Sequence, residues 1–394
     1  MPRLSASCSD HVALCRQLPK AELHAHLHGS VRTETLLEML TAARGGDAVG
    51  AAASLATAKA DLSLSSCFSL FDLMYEAIIG LDDVRRITRE AIADFEIDNV
   101  TYLELRTTPR RDLAACSDTP PAMRVCTAED ASTSGPFEAY IDAILSEVAA
   151  HANVDAPAVN GCPSRCTVRI LLSINRTRGV TEAELTVDAA IAASRWVYTV
   201  EGGGDGRSLG PFVVGVDVSG DPNRGDVRQL LPTLQRARDA GLYVSVHAAE
   251  VASDSETDAI IAWGPDRLGH AVCLCDAALQ SLLCRTPRRI PIELCPTSNA
   301  ITLSLETLRD HPTLATWLAS GYPVAICTDD VGVFGATLSE ELAAAAHAAN
   351  LSADATVALA LAAFNYTFAD RCTAARVKAA ATATAAAAMA AARP

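Results

Sequence analysis

Eight short apolar segments, most of them followed by a stretch of helical character, limit this chain to very few folds. The segments are Glu22–Ser30, Val100–Arg106, Thr167–Ile174, Phe212–Val218, Leu242–Val246, Arg267–His270, Ile292–Cys295 and Val324–Cys327. Mostly uninterrupted apolar runs of this length are the signature of strands buried on both faces of a parallel sheet. Helical spacing is expected over Asp82–Asn99, Phe137–Ala150, Thr181–Val200, Asp226–Ala240, Ser253–Trp263, Asp276–Cys284, Leu305–Ser320 and Ser339–Asn350. Eight β–α units favour a closed (β/α)8 barrel over an open sheet, so the α/β chain of 394 residues is read as a single TIM-type barrel with extra helices and surface-loop insertions. Thr33 is the expected N-cap of an early helix, and Ala42–Ala60 reads as an insertion without period. Phe68–Tyr75 is helical, either core or a lid. Pro109–Pro136 is rich in Ser, Thr, Pro and Asp and reads as a long surface loop, and Gly202–Gly206 as a flexible loop without dinucleotide-binding spacing.

A barrel of this kind carries its chemistry at the C-terminal ends of its strands. The polar residues fall there: His24, His26 and His28 on the first strand, Asp217, Ser219, Gly220 and Asp221 on the fourth. His247 and then Glu250 follow on the fifth, His270 on the sixth, Thr297, Ser298 and Asn299 after the seventh, and Thr328, Asp329 and Asp330 on the eighth. Strand alternation puts His24, His26 and His28 on one side. His24, His26, His247 and Asp329 offer three imidazole nitrogens and one carboxylate oxygen from separate strands, a donor set that suits zinc with one position open for water. On this reading His270 takes the water's proton, Glu250 is a general acid whose pKa is raised by burial, and Asp330 accepts a hydrogen bond from substrate. The plainer readings are satisfied core histidines at His247 and His270, a helix-terminal acid pair at Asp329 and Asp330, and a solvated Glu250. Cys273 and Cys275 lack the paired spacing of a structural zinc site.

Composition narrows the function classes. Half of the residues are hydrophobic and the net charge is −15, with no Lys/Arg block. That argues against a nucleic-acid surface, while leaving room for a local anion pocket. The 13 cysteines are scattered without a framework. With no secretory segment, reduced thiols in a cytoplasmic protein are expected. The Ala379–Ala392 stretch is too weakly apolar for a membrane span and reads as a frayed helix or disordered tail.

With these residues in place the chain resembles the adenosine/AMP deaminase group of the amidohydrolase superfamily. The matching blocks are Glu22 to Ser30 (ELHAHLHGS), Gly215 to Asp221 (GVDVSGD), His247 to Glu250 (HAAE), Leu268 to Ala271 (LGHA), Cys295 to Asn299 (CPTSN) and Thr328 to Asp330 (TDD). The resemblance implies one domain, with a barrel core over 18–370 and an Ala-rich tail over 371–394. It implies one zinc per chain on His24, His26, His247 and Asp329, Glu250 protonating the purine N1, and His270 handling the attacking water. Asp330 then bonds N7 and the Gly220 backbone meets N3. Asp329 thus counts among the catalytic groups and His26 among those facing substrate.

Adenosine deaminases typically carry Asp where this chain has His28; a carboxylate there would repel a 5′-phosphate. Leu105 to Arg110 (LRTTPR), Ser219 to Pro222 (SGDP) and Asp329 to Phe334 (DDVGVF) also resemble the adenosine deaminase-like branch, whose members hydrolyse N6-methyl-AMP to IMP and methylamine. That branch usually has Asn at the His28 position. His28, Ser30, Thr107, Thr108 and Arg110 are the expected phosphate neighbours. The expected partner is a purine nucleotide or nucleoside, with no nucleic acid, no membrane and a monomeric chain. The alternatives are an adenosine or adenine deaminase releasing ammonia, and a non-catalytic metal-binding scaffold.

Overall fold

The computed structural model describes residues 9–60, 62–113, 124–125, 135–153, 165–199, 208–285 and 288–391. Eight parallel strands lie in chain order in one sheet: β1 (Lys20–His26), β2 (Val100–Thr107), β3 (Thr167–Asn175), β4 (Val213–Ser219), β5 (Tyr243–Ala248), β6 (Arg267–His270), β7 (Ile292–Leu294) and β8 (Val324–Ile326). The last strand returns to the first. His26 N donates to Asp329 O at 2.9 Å and Asp329 N to His24 O at 2.8 Å, a parallel bridge that closes the barrel just beyond β8. The seam is thus made by the residues singled out for the site.

The strands are less uniformly apolar than their sequence suggests, because the barrel interior is charged. Glu104 and Arg106 of β2, Asp217 of β4, Arg267 of β6 and Glu293 of β7 are each at most 1% exposed. Arg106 donates to Asp217 and to Glu293 at 2.8 Å each, while Arg267 lies 2.6 Å from Glu293 and also pairs with Glu104. Three of these contacts, Arg106 with Asp217 and with Glu293 and Arg267 with Glu104, cross between non-adjacent strands, so they fill the barrel. Breaking one such buried pair leaves a charge uncompensated, a cost of about 3–5 kcal/mol.

Helices cover the outside. Helix Leu81–Ile97 buries Leu81, Val84, Thr88, Ala91, Ile92 and Phe95, the stripe expected of a helix packed on a sheet. The Ala42–Ala60 stretch is not an unstructured insertion: Ala48–Ala60 is a helix burying Ala51, Leu55 and Ala58. Alanine gives such a stripe too little contrast to read. Thr33 is the first helical residue and Arg32 occupies the cap position, extended and paired with Asp94, while the Thr33 hydroxyl accepts from Lys59.

The expected helix Leu305–Ser320 breaks up. Pro296–Thr302 and Leu314–Ala319 are separate helices joined through a short turn at Leu308–Asp310, since Pro312 bars helical backbone at His311. The helix after β3 stops at Ala193, and Val197–Thr199 instead pairs antiparallel with Arg124–Val125 and Ser208–Leu209. Most of the 109–136 stretch and all of Gly202–Gly206 lie outside the described residues. The alanine-rich end is ordered: Arg371–Ala391 is a helix placing Val377 and Ala381 against Tyr102 and Phe364. No described helix is long and apolar enough to cross a membrane.

Candidate active site

Strand β1 runs through His24 and His26 and stops there. Alternation puts both rings on the barrel side, where β5 delivers His247 and the residues after β8 deliver Asp329. Ligand atoms of these four residues all lie within 4.8 Å of one another. Asp329 Oδ1 is 3.3 Å from His24 Nε2 and 3.4 Å from His26 Nε2, and the Nε2 atoms of His26 and His247 are 3.2 Å apart.

The charged interior fixes which nitrogen faces the cluster. His24 Nδ1 sits 2.7 Å from Glu293, and His247 Nδ1 sits 3.1 Å from Asp217. Both carboxylates are held well below the usual range, against the effect of burial, by the Arg106 guanidinium. They are therefore acceptors, each Nδ1 must carry a proton, and Nε2 is the ring nitrogen each histidine turns to the cluster. Buried His24 Nε2 has no hydrogen-bond partner, although Asp329 is near. An orphaned ring nitrogen facing two more nitrogens and a carboxylate is the donor geometry a divalent cation satisfies. A second group, His270 with Cys295 and Asp329, also converges, but burial pushes the Cys295 thiol well above its ordinary pKa and disfavours the thiolate.

Local backbone conformation turns these side chains inward. His270 and Asp329 both adopt φ +63, a left-handed conformation uncommon outside glycine. Gly269 keeps its place because a Cβ there would lie 3.0 Å from the His24 ring. Ser298, at the start of the helix after β7, donates to Asp329 Oδ2 at 2.7 Å.

The cluster opens into a cavity of about 800 Å³ whose wall includes His26, His247, Glu250, His270, Asp329 and Asp330. Burial, and then the Asp329 charge, raise Glu250 to about 8, so it is protonated at neutral pH. The same two causes push Asp330 well above the usual carboxylate range. That direction favours the protonated carboxyl, a donor, in place of the acceptor expected from sequence.

His270 is pushed down to about 3 by burial and is a neutral ring. Its hydrogen-bond polarity follows from the backbone. Thr313 N and Leu314 N donate to His311 Nδ1 at 3.3 and 3.1 Å, so His311 donates through Nε2 to Asn299 Oδ1 at 3.3 Å. The Asn299 amide then donates to His270 Nδ1 at 3.0 Å, leaving an N–H at His270 Nε2. A ring so held orients a water's oxygen; taking its proton, the role expected from sequence, would require that polarity to reverse.

The remaining expected residues divide. Gly220, Thr107, Thr108 and His28 line the cavity, but His28 does not share the face of His24 and His26. Leu27 has left strand geometry, and His28 begins a tight turn, with its ring stacked at 5.5 Å on Tyr75 and 6.3 Å on Tyr140. Burial, and then Arg110, push it down to about 3, so it meets substrate uncharged. The Ser30 hydroxyl is turned to the His26 carbonyl. Arg110 is absent from the cavity wall: its guanidinium pairs with Asp112 and donates to the carbonyls of Tyr75 and Ile78. Leu64, Phe68, Phe71 and Tyr75 make helix Leu64–Ala77 an apolar wall of the cavity, which decides between core and lid in favour of a site-lining role. Sequence reasoning missed Glu293 and Arg106; a charge inside so short an apolar strand was the available signal.

Residues 19–380 match the family model described as adenosine deaminase. Among relatives, an N6-mAMP deaminase from Arabidopsis thaliana is 36% identical, covering 90% of this chain and 94% of its own. An N6-methyl-AMP deaminase-L from Xenopus laevis is 31% identical, covering 90% of each. Among solved structures, Arabidopsis ADAL complexed with IMP superposes with a TM-score of 0.77 at 33% identity, covering 95% of this chain and 98% of that one.

Proposed function

The chain belongs to the adenosine deaminase family and is a hydrolytic deaminase, and from that premise we propose that it hydrolyses N6-methyl-AMP to IMP and methylamine. The observation that carries the substrate choice is His28. Its buried, uncharged ring stands in the cavity wall where a carboxylate would repel a nucleotide's phosphate. Relatives named for N6-methyl-AMP, and ADAL structures complexed with IMP and with GMP, support the same substrate class.

We take His24, His26, His247 and Asp329 as the residues that would hold a divalent cation, zinc by the chemistry of the donor set. When bound, such an ion supplies Lewis acidity and lowers a water's pKa toward about 7. The rest falls to the chain's own groups. Protonated Glu250 donates to purine N1, drawing electron density from C6. Protonated Asp330 donates to N7, whose lone pair requires a donor. The Gly220 N–H faces N3, and the apolar wall of Phe68 and Phe71 keeps the ring dry. His270 steers the incoming oxygen through Nε2–H, leaving the ionised Asp329 carboxylate to receive the water's proton. Passed on to N6, that proton lets methylamine leave, and the proton of the C6 hydroxyl goes back to the Glu250 carboxylate as C6 becomes a carbonyl.

The test offers N6-methyl-AMP, AMP and adenosine in parallel and identifies the released amine. Methylamine and IMP from the first substrate, at the highest kcat/KM, are expected. Preferential release of ammonia from adenosine would instead establish the adenosine deaminase alternative.

A further inference from the structure

A nucleotide reading needs a cation near the cavity mouth, because the ionised side chains on the wall are otherwise carboxylates: Asp72, Asp221 and Asp329 line it, beside the protonated Glu250 and Asp330. Two guanidinium groups line the same cavity, those of Arg106 and Arg224. Arg106 is buried and committed to Asp217 and Glu293. Arg224 is exposed at the mouth, and no carboxylate among the described residues pairs with it. Its backbone, by contrast, is held firmly. Arg224 N donates to Asp221 O at 3.0 Å, and Arg176 Nε donates to Arg224 O at 2.8 Å while its other arm binds Glu256. Asp221 Oδ1 accepts from Asn223 N, which ties the near carboxylate into the same turn. A pinned loop carrying a guanidinium without a partner is a preorganised anion donor.

A second donor lines the same cavity. Asn175, at the end of β3, accepts at Oδ1 from Thr177 N at 3.0 Å and from the Thr177 hydroxyl at 2.8 Å. That fixes the amide's orientation and leaves its Nδ2 donors without a partner on the cavity wall. The absent Cβ of Gly220 makes the room: a methyl there would lie 2.6 Å from Asn175 Oδ1. Gly220 is the residue that faces N3 in the proposed pose, and Arg224 lies on the loop leaving it. Ribose and phosphate, which leave the purine on the side away from C6, therefore pass this loop.

We propose that Arg224, with the Asn175 amide on the same cavity wall, receives the substrate's 5′-phosphate, the task that sequence alone gave to His28, Ser30, Thr107, Thr108 and Arg110. This rests on the nucleotide reading above. The test compares kcat/KM for N6-methyl-AMP and N6-methyladenosine in the wild type, in Arg224→Gln and in Arg178→Gln. Arg178 is an exposed rim arginine near Glu182 that does not line the cavity, so it controls for loss of rim charge alone. Hydrogen bonds to a charged group predict a fall in the nucleotide-to-nucleoside ratio of roughly ten- to a hundred-fold in Arg224→Gln, carried by KM. Nucleoside turnover and the Arg178→Gln ratio should stay at wild-type values. An unchanged ratio in Arg224→Gln, or an equal fall in Arg178→Gln, overturns the clamp and leaves the nucleotide reading standing. A wild-type enzyme without nucleotide preference refutes that reading itself, and the clamp with it.

Discussion

Replacing Gly29 by alanine would put a methyl where the Asp330 carboxylate sits. A Cβ on Gly29 falls 1.6 Å from Asp330 Oδ1, 2.4 Å from Cγ and 2.7 Å from Cβ. To reach an ordinary contact of 3.4 Å the oxygen must retreat by about 1.8 Å, and rotating the side chain cannot clear its own Cβ. Misplacing a catalytic group by 1 Å costs on the order of 10²-fold. Gly29→Ala should therefore lower kcat/KM by at least about 10²-fold, with metal content retained. Gly332→Ala is the contrast, because its methyl would fall 2.1 Å from the Val31 carbonyl oxygen, so the backbone must move and thermal stability should drop. The decisive measurement is a double mutant. If the methyl acts only by displacing the Asp330 side chain, Gly29→Ala added to Asp330→Gly, which removes the clashing Cβ, should cost little more than Asp330→Gly alone. Losses that multiply, or near wild-type turnover in Gly29→Ala, would refute the reasoning.

Four more expectations follow from the same geometry. Dialysis against a chelator should abolish turnover and lower Tm, with zinc restoring both; saturation at 100 times Kd corresponds to about 2.7 kcal/mol. Glu250→Gln should lower kcat by roughly 10²-fold at unchanged metal content, and wild-type kcat should decline as pH rises through about 8, where the raised Glu250 loses its proton. Glu341 is buried with Oε1 unpartnered and is pushed up by burial to about 8 from an ordinary 4.5. Its folded-state pKa is the higher one, so its contribution is complete below about 4.5 and is lost as pH rises toward 8; Glu341→Gln should gain Tm relative to wild type over that window. His28→Asp should reduce N6-methyl-AMP turnover more than that of the nucleoside, and a constant ratio would remove His28 from phosphate discrimination.

What could be read from sequence was set by residue contrast. His24, His26, His247, His270 and Asp329 stand out because each is a polar side chain closing a run of apolar ones, and the barrel follows from the same strands. The alanine helices were opaque for the opposite reason: Ala51 and Ala58 bury little area, so their stripe has almost no amplitude. His28 was misplaced because alternation holds only while the strand lasts, and β1 ends at His26. Arg110 and Arg224 could not be distinguished without coordinates. One is consumed by Asp112 and two carbonyls, the other is left open, and neither fact depends on its neighbours in sequence.

The conformations of His270 and Asp329 show why the chemistry and the barrel's closure occupy the same residues. A left-handed φ on a non-glycine residue costs roughly 1–3 kcal/mol, and both residues bear it. Glycine would relieve the strain but would bring no side chain. At Asp329 the strained peptide is gripped on both sides by β1, through His24 O and His26 N. The same two hydrogen bonds close the sheet, so relaxing Asp329 would open the seam. At His270 the ring is anchored through Asn299 and His311 to the backbone at Thr313 and Leu314. Cooperative structure elsewhere in the barrel thus offsets the local cost, and the side chains are aimed before substrate arrives. Orientation is prepaid during folding, which is what electrostatic catalysis in a dry site requires.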